Sequence, residues 1–273
     1  MKRILIVLFS LIFLFPLYWM FIGSFQNIYD VIALPPKVLP HDITGQNYVR
    51  LLKELHGIQY WCRNTGIIVI GTVLLSLTST ALAGYAFAVW HFPAKQIIYW
   101  VFLLSIIIPG TALFIPKFVV IRGLALSGTY WAVILPGIFS AFHILLFRNF
   151  VQHIPQDIHD SARIDGASEW WILLRVILPL CKPVLGTLAL FISLGVMGDY
   201  MWQFLMLHQD ETKMTMIVGV IAAIYRKVSI QMELNPVGLK LAAGVVLFVP
   251  SFVIFCFFQR YFKGEFLAGG VKL

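Results

Sequence analysis

Charge is what this sequence has least of. Only 12% of its 273 residues are Asp, Glu, Lys or Arg, while 60% are hydrophobic. An ordinary soluble domain carries about twice that share of charge. The scarcity excludes a soluble enzyme, and it excludes a disordered chain, which needs low hydrophobicity and high charge. Cysteine is nearly missing too: Cys62, Cys181 and Cys256 lie too far apart for a Cys-x-x-Cys metal or redox pair. No Gly-Lys dipeptide occurs, so there is no GxxxxGK[ST] phosphate loop, and this chain does not cradle ATP by that route. HExxH, GxSxG and clustered carboxylate pairs are absent as well. The formal charge of +8 is scattered over helix ends and loops. Without a dense basic run it points to anionic lipid headgroups and not to nucleic acid.

What the chain has instead is long apolar runs, with a mean hydropathy of +0.89. A spanning helix needs about 20 apolar residues, and six segments qualify. The first, Ile4 to Phe25, follows Lys2 and Arg3 and is too long for a signal peptide, so it reads as a retained anchor starting in the cytoplasm. The others run from about Gly66 to Trp90, Ile97 to Ile115, Trp131 to Asn149, Pro183 to Leu207 and Leu239 to Phe258. An all-α, polytopic membrane protein with six transmembrane helices follows. In the second span Ser76, Thr80, Gly84 and Ala88 recur every four residues, a small-residue face that lets helices approach closely in lipid. Pro109 kinks the third span. Lys117, beside Pro116, reads as a side chain snorkelling where that helix ends. His143 in the fourth span reads as a packing histidine with its polar groups satisfied. The segment Met214 to Ile224 is too short to span and reads as a re-entrant or surface helix.

The chain divides into an N-terminal anchor and external loop, 1–65, a five-helix core, 66–258, and a tail, 259–273. The external loop carries Pro35, Pro36 and Pro40 and a short helix around Asn47 to Glu54. Asn64, Tyr225 and Arg226 are candidates to meet an external partner. Lys and Arg divide evenly between the two sides of a six-span topology, so charge counting does not orient it.

The most patterned stretch is the polar loop at about 150–178. Pro155 is placed to start a helix, with Asp157 and Asp160 in its first turns, where the positive helix end favours acids. Gly166 can take the left-handed conformation that closes that helix, and Ser168 can cap the next one ahead of Glu169. The small residues from Ser161 to Ala167 would let a partner's surface come close.

Asp160-Ser161-Ala162-Arg163-Ile164-Asp165-Gly166-Ala167, followed by Leu178-Pro179-Leu180 and Pro183, resembles the EAA loop of ABC-importer permeases. The family's usual Glu-Ala-Ala is Asp160-Ser161-Ala162 here. The ending, Gln259 to Lys272, is similar to the tail of carbohydrate-importer permeases of the maltose-transporter type, specifically the second permease of a heterodimeric pair. Gly198-Asp199-Tyr200-Met201-Trp202-Gln203-Phe204 resembles that group's Trp-Asn-Asp/Glu-aromatic-Leu-Trp-Pro motif, departing from it at Met197, Gly198 and Gln203. The resemblance implies a type I ABC-importer permease fold in a prokaryotic inner (plasma) membrane, with both termini cytoplasmic. It implies that Asp160, Ser161, Ala162, Asp165, Gly166 and Ala167 form the surface coupling to the ATPase. The partners it implies are a second permease subunit, two ATP-binding subunits, an extracytoplasmic substrate-binding protein and a carbohydrate substrate. This chain would bind no cofactor, and ATP and Mg would sit on the ATP-binding subunits.

Asp199, Tyr200, Trp202 and Gln203 are candidates for the substrate path, because a carboxylate inside a span usually faces an interior or a cavity. A second reading of Asp199 places it at the external end of the fifth span, bonded to loop or partner-permease groups. Three alternatives stand beside a sugar permease. One is a permease for glycerol phosphate or another polyol. Another is an ion-coupled secondary transporter, which should carry inverted repeats and several intramembrane carboxylates. The third is a membrane enzyme using Asp199 and His143 as acid and base.

Overall fold

The computed structural model describes residues 2–33, 37, 39, 42–230 and 235–268. Pro35, Pro36 and Pro40 of the segment expected to be an external loop, and Gly269 to Lys272 of the expected tail, lie outside them. Among the described residues every regular element is a helix; besides the short turns Ile28–Val31 and Arg226–Ile230, these are α1 Lys2–Ser24, α2 Gln46–Glu54, α3 Ile58–Val89, α4 Lys95–Ile107, α5 Phe114–Gly123, α6 Trp131–Gly137, α7 Ala141–Gln152, α8 Gln156–Ile164, α9 Glu169–Leu180, α10 Lys182–Gly198, α11 Tyr200–Leu207, α12 Met216–Tyr225 and α13 Pro236–Ala268.

Two helices are long and apolar enough to cross a bilayer unaided, Ile58–Val89 and Pro236–Tyr261. The bent pairs α6/α7, at 42°, and α9/α10, at 78°, raise the number to four if each pair is one span, and Leu8–Ser24 and Lys95–Ile107 are shorter apolar helices. Several expected spans are therefore interrupted. At Pro109 the third does more than kink, because α4 stops at Ile107 and helix resumes only at Phe114. Pro109 lacks the N–H that would continue the ladder and pushes the residue before it out of helical geometry; Ile108 is accordingly extended, with ψ of 120°. The fourth span breaks between Gly137 and Ala141, and the fifth at Asp199, whose φ and ψ of −80° and 71° are not helical.

The chain forms two compact units, Met1–Asn64 with Asp210–Phe252, and Thr65–Gln209 with Val253–Leu273. In the first, buried amides do the joining. Asn47 donates to the carbonyls of Ser24 and Gln26, both at 2.9 Å, and Asn235 donates to the Gln26 carbonyl at 3.1 Å and to Asn47 Oδ1 at 3.2 Å. The end of α1, the start of α2 and the start of α13 thereby share one network. Trp61 packs where a Cβ on Gly219 of α12 would lie, and its Nε1 donates to the Glu211 carbonyl at 3.0 Å. Asn64, an expected external contact, is instead fully buried and donates to the carbonyls of Thr212 and Met214 at 2.7 and 2.9 Å. Tyr225 is 67% exposed. The segment around Met214 to Ile224 is mostly buried within this unit and not laid on a surface: Met216, Val218, Gly219, Val220 and Ala223 are all inside.

The second unit has two apolar clusters. One gathers Tyr85, Phe147, Ile172, Ile177, Cys181 and Leu188; the other gathers Ile68, Ile121, Ala132, Trp202, Met206 and Leu207. The small-residue face of α3 is used as expected, since a Cβ on Gly84 would meet Phe147 Cδ1 at 2.8 Å and the backbone of Ile144 and Arg148 at 3.1 and 3.2 Å. Backbone cannot rotate away as a side chain can. Gly84→Leu should therefore cost about 1–3 kcal/mol of α3/α7 packing, read as a lower thermal midpoint in detergent, with Gly84→Ala falling between it and the wild type.

Candidate functional site

The patterned loop folds as its residues dictate. Pro155 sits at the N-cap position of α8 in an extended conformation, with φ and ψ of −53° and 134°, and Asp157 occupies the first turn. Inside α8 the Ser161 hydroxyl donates back to the Asp157 carbonyl. At the far end Gly166 takes φ of +80°. The Gly166 N–H bonds the Arg163 carbonyl and the Ala167 N–H reaches the Ala162 carbonyl, both at 3.0 Å, which is the paired closure of a left-handed helix terminus. Ser168 Oγ then accepts the Trp171 N–H at 3.3 Å and opens α9. Further along, Pro179 has no N–H for the Arg175 carbonyl, and the turn at Leu173–Ile177 widens to π geometry.

Around this turn lies a hollow of about 820 Å³ lined by Ser161, Ala162, Asp165, Gly166, Ala167 and Trp171, among others. Five of the six residues expected to couple thus share one concave flank. The sixth, Asp160, pairs with Arg163 at 3.4 Å. Two features escaped the sequence reading. Ile164 stands 86% exposed at the tip of the turn. Glu169 is a joint: its carboxylate accepts from Arg163 Nε at 2.8 Å, from the Tyr85 hydroxyl at 2.8 Å and from Trp90 Nε1 at 3.2 Å. It ties α8 to the end of α3. The opposite charges of Arg163 and Glu169 flanking the glycine turn were the available signal. His159 is buried with its ring beside Tyr85, centroids 6.1 Å apart. Burial, then the Arg163 charge, push its pKa below the usual histidine value. The neutral ring's contribution to stability is therefore present near neutrality and above, and is lost as pH falls through that depressed value.

A second feature is a cavity of about 340 Å³ within the same unit, lined by residues that include Lys117, Phe139, His143, Asp199, Trp202 and Gln203. Asp199 caps α11 by accepting the Trp202 N–H at 3.3 Å. Trp202 is 1% exposed, and its Nε1 donates to the Ala132 carbonyl at 3.0 Å. Gln203 donates to the Val196 carbonyl. Three of the four residues expected on a substrate path are thus brought together; Tyr200 is not among the lining residues and packs on Phe204. Lys117 does not snorkel from a helix end. Pro116 lies in the first turn of α5, and the Lys117 ammonium sits 3.7 Å from the centroid of the Trp202 ring. The Nδ1 of His143 is buried with no hydrogen-bond partner among the described residues, so this histidine is not a satisfied packing residue.

An all-helical membrane chain with interrupted apolar helices, a polar cavity among them and an outward helix–turn–helix knob is built as a transport subunit. The comparisons specify it. A family model described as "Binding-protein-dependent transport system inner membrane component" matches residues 80–265, and the chain belongs to that family. It is a permease subunit of an ABC transporter, a non-catalytic translocation component of the inner membrane. The chain is 30% identical to "Arabinooligosaccharides transport system permease protein AraQ" of Bacillus subtilis, over 96% of its own length and 92% of that protein's. It is 27% identical to "Lactose transport system permease protein LacG" of Rhizobium radiobacter, with 95% and 91% covered, and 26% identical to "sn-glycerol-3-phosphate transport system permease protein UgpE" of Agrobacterium fabrum, with 95% and 93% covered. Its fold is that of a chain in the crystal structure of a bacterial ABC transporter for import of the acidic polysaccharide alginate. The TM-score is 0.79 at 23% identity, over 96% of this chain and 95% of that one.

Proposed function

We propose that this chain is the second permease of a heterodimeric carbohydrate importer. It forms half of a sugar pathway and receives the ATPase stroke through α8 and its turn. The observation that carries the coupling assignment is the glycine-closed turn at Gly166, flanked by Asp160, Ser161, Ala162, Asp165 and Ala167 on a surface built to admit a partner. The sugar assignment is supported by the printed substrates of the arabino-oligosaccharide and lactose relatives. ATP and Mg belong to two partner subunits, since this sequence has no phosphate loop. An extracytoplasmic binding protein delivers the substrate to the opposite face.

In this reading the membrane is crossed six times, with α4/α5, α6/α7 and α10/α11 as interrupted spans. The anchor and external loop occupy 1–65, the core 66–258 and the tail 259–273. The loop at 150–178 and both termini are cytoplasmic. The glycerol-phosphate relative supports a second reading, in which the cargo is a phosphorylated polyol.

A mild-detergent pull-down of the tagged chain from its native cells, with mass spectrometry of the eluate, tests the assembly. A second permease and a subunit carrying a phosphate loop should co-elute. A chain that runs alone yet supports uptake would overturn the importer reading. Uptake of neutral saccharides against sn-glycerol 3-phosphate decides the cargo.

A further inference from the structure

Three interruptions of apolar helix converge on the 340 Å³ cavity. Lys117 comes from α5, just after the break at 108–113; Phe139 and Ser140 occupy the break between α6 and α7; and Asp199 is the break between α10 and α11. Irregular backbone at membrane depth persists only where protein covers it or a polar cavity receives it, and transport sites are commonly built from such discontinuous helices.

Trp202 is not an aromatic that offers a face there. Its ring is 1% exposed, with the Lys117 ammonium above it and Phe114 edge-on at 5.5 Å. Phe139 and Phe191, on the same cavity, are 72% and 45% exposed, Phe139 the more accessible of the two. The polar groups left over also belong to the cavity. Oδ1 of Asp199 is used in capping α11, while Oδ2 accepts no protein hydrogen bond among the described residues. His143 Nδ1 has no partner there either. The charge is balanced, with Lys117 the only cation and Asp199 the only anion among the lining residues. A phosphoryl group of charge about −1.5 to −2 would find a single cation that already faces a carboxylate. An uncharged polyhydroxy ring brings no charge to compensate, and the volume lies at the small end of ligand sites, which span about 300–1,000 Å³.

We infer that this cavity is a subsite for an uncharged saccharide of one or two rings, with Phe139 as its stacking face, Asp199 and His143 as hydroxyl partners, and Lys117 on Trp202 balancing the charge of Asp199. The inference rests on the carbohydrate-permease reading and adds that this permease itself holds the sugar and selects for its neutrality.

The test uses the complete importer with its binding protein, reconstituted in vesicles. Probes are neutral saccharides, namely lactose and arabino-oligosaccharides, their uronic-acid counterparts, and sn-glycerol 3-phosphate. Phe139→Ala should lower saccharide uptake about tenfold, the loss of one aromatic anchor, while ATP hydrolysis stimulated by the loaded binding protein persists. Phe139→Trp should restore uptake, and Asp199→Asn should shift preference towards the uronic acids. If Phe139→Ala does not assemble, His143→Gln carries the same expectation. Saccharide uptake indifferent to Phe139 and His143 would sink the subsite and leave the permease reading standing. A wild type that imports only sn-glycerol 3-phosphate would sink the carbohydrate reading, and the subsite with it.

Discussion

Gly166→Val should reduce uptake at least about tenfold while the chain still reaches the membrane, because a β-branched residue at a left-handed position is strained by roughly 1–3 kcal/mol. The strain falls where α8 turns into α9, and φ there is +80°. A Cβ at this position meets nothing within 4 Å inside the chain, so the damage is not an internal clash. Gly166→Asn separates the two remaining causes, since Asn tolerates the left-handed conformation and adds bulk. If the Asn variant transports normally, the glycine serves the turn alone. If it fails with normal membrane abundance by immunoblot, an opposing subunit needs the space. Normal uptake by the Val variant would refute the coupling assignment.

The second large effect is expected at Glu169. Glu169→Ala removes one acceptor shared by Arg163, Tyr85 and Trp90. Each abandoned donor costs about 1–3 kcal/mol where water cannot replace the partner; Glu169 and Arg163 are 34% and 39% exposed, so their ion pair supplies the lesser part. The informative loss is mechanical, because α8 is released from the end of α3. Purified complexes should keep hydrolysing ATP while uptake falls about tenfold, the equivalent of 1.4 kcal/mol. Glu169→Gln, which keeps an acceptor for Tyr85 and Trp90 but no charge for Arg163, should fall between. Hydrolysis and uptake declining together across the series would reduce the joint to a fold-supporting contact.

The local turn chemistry was legible because it is written in neighbours. Pro155, Gly166 and Ser168 each act within a few residues, and each does in the structure what its backbone preferences require. Apolar runs located the helices but not their interruptions. Pro109 announced one break, whereas Asp199 stops one helix and caps the next inside a segment whose apolar residues read as a single span. Lys117 and His143 were misread for a related reason. Sequence spacing shows what lies on one helix, whereas their surroundings come from residues 50 to 90 positions away, such as Trp202 and Gly195. Asn64 is the plainest case. A polar residue before a span reads as loop, and here its carboxamide is consumed by carbonyls of a segment 148 and 150 positions later.

That clasp bears on biosynthesis. The carbonyls of Glu211, Thr212 and Met214 that receive Trp61 and Asn64 do not exist when the start of α3 leaves the ribosome. At translation rates of about 5–20 residues per second, the indole and carboxamide wait roughly 8–30 s for them. During that interval the start of α3 lacks this clasp, and a nascent chain released before Thr212 leaves the Asn64 carboxamide without either of these acceptors. Whether the Asn64 carboxamide finds these two acceptors therefore depends on synthesis having passed the fifth apolar segment.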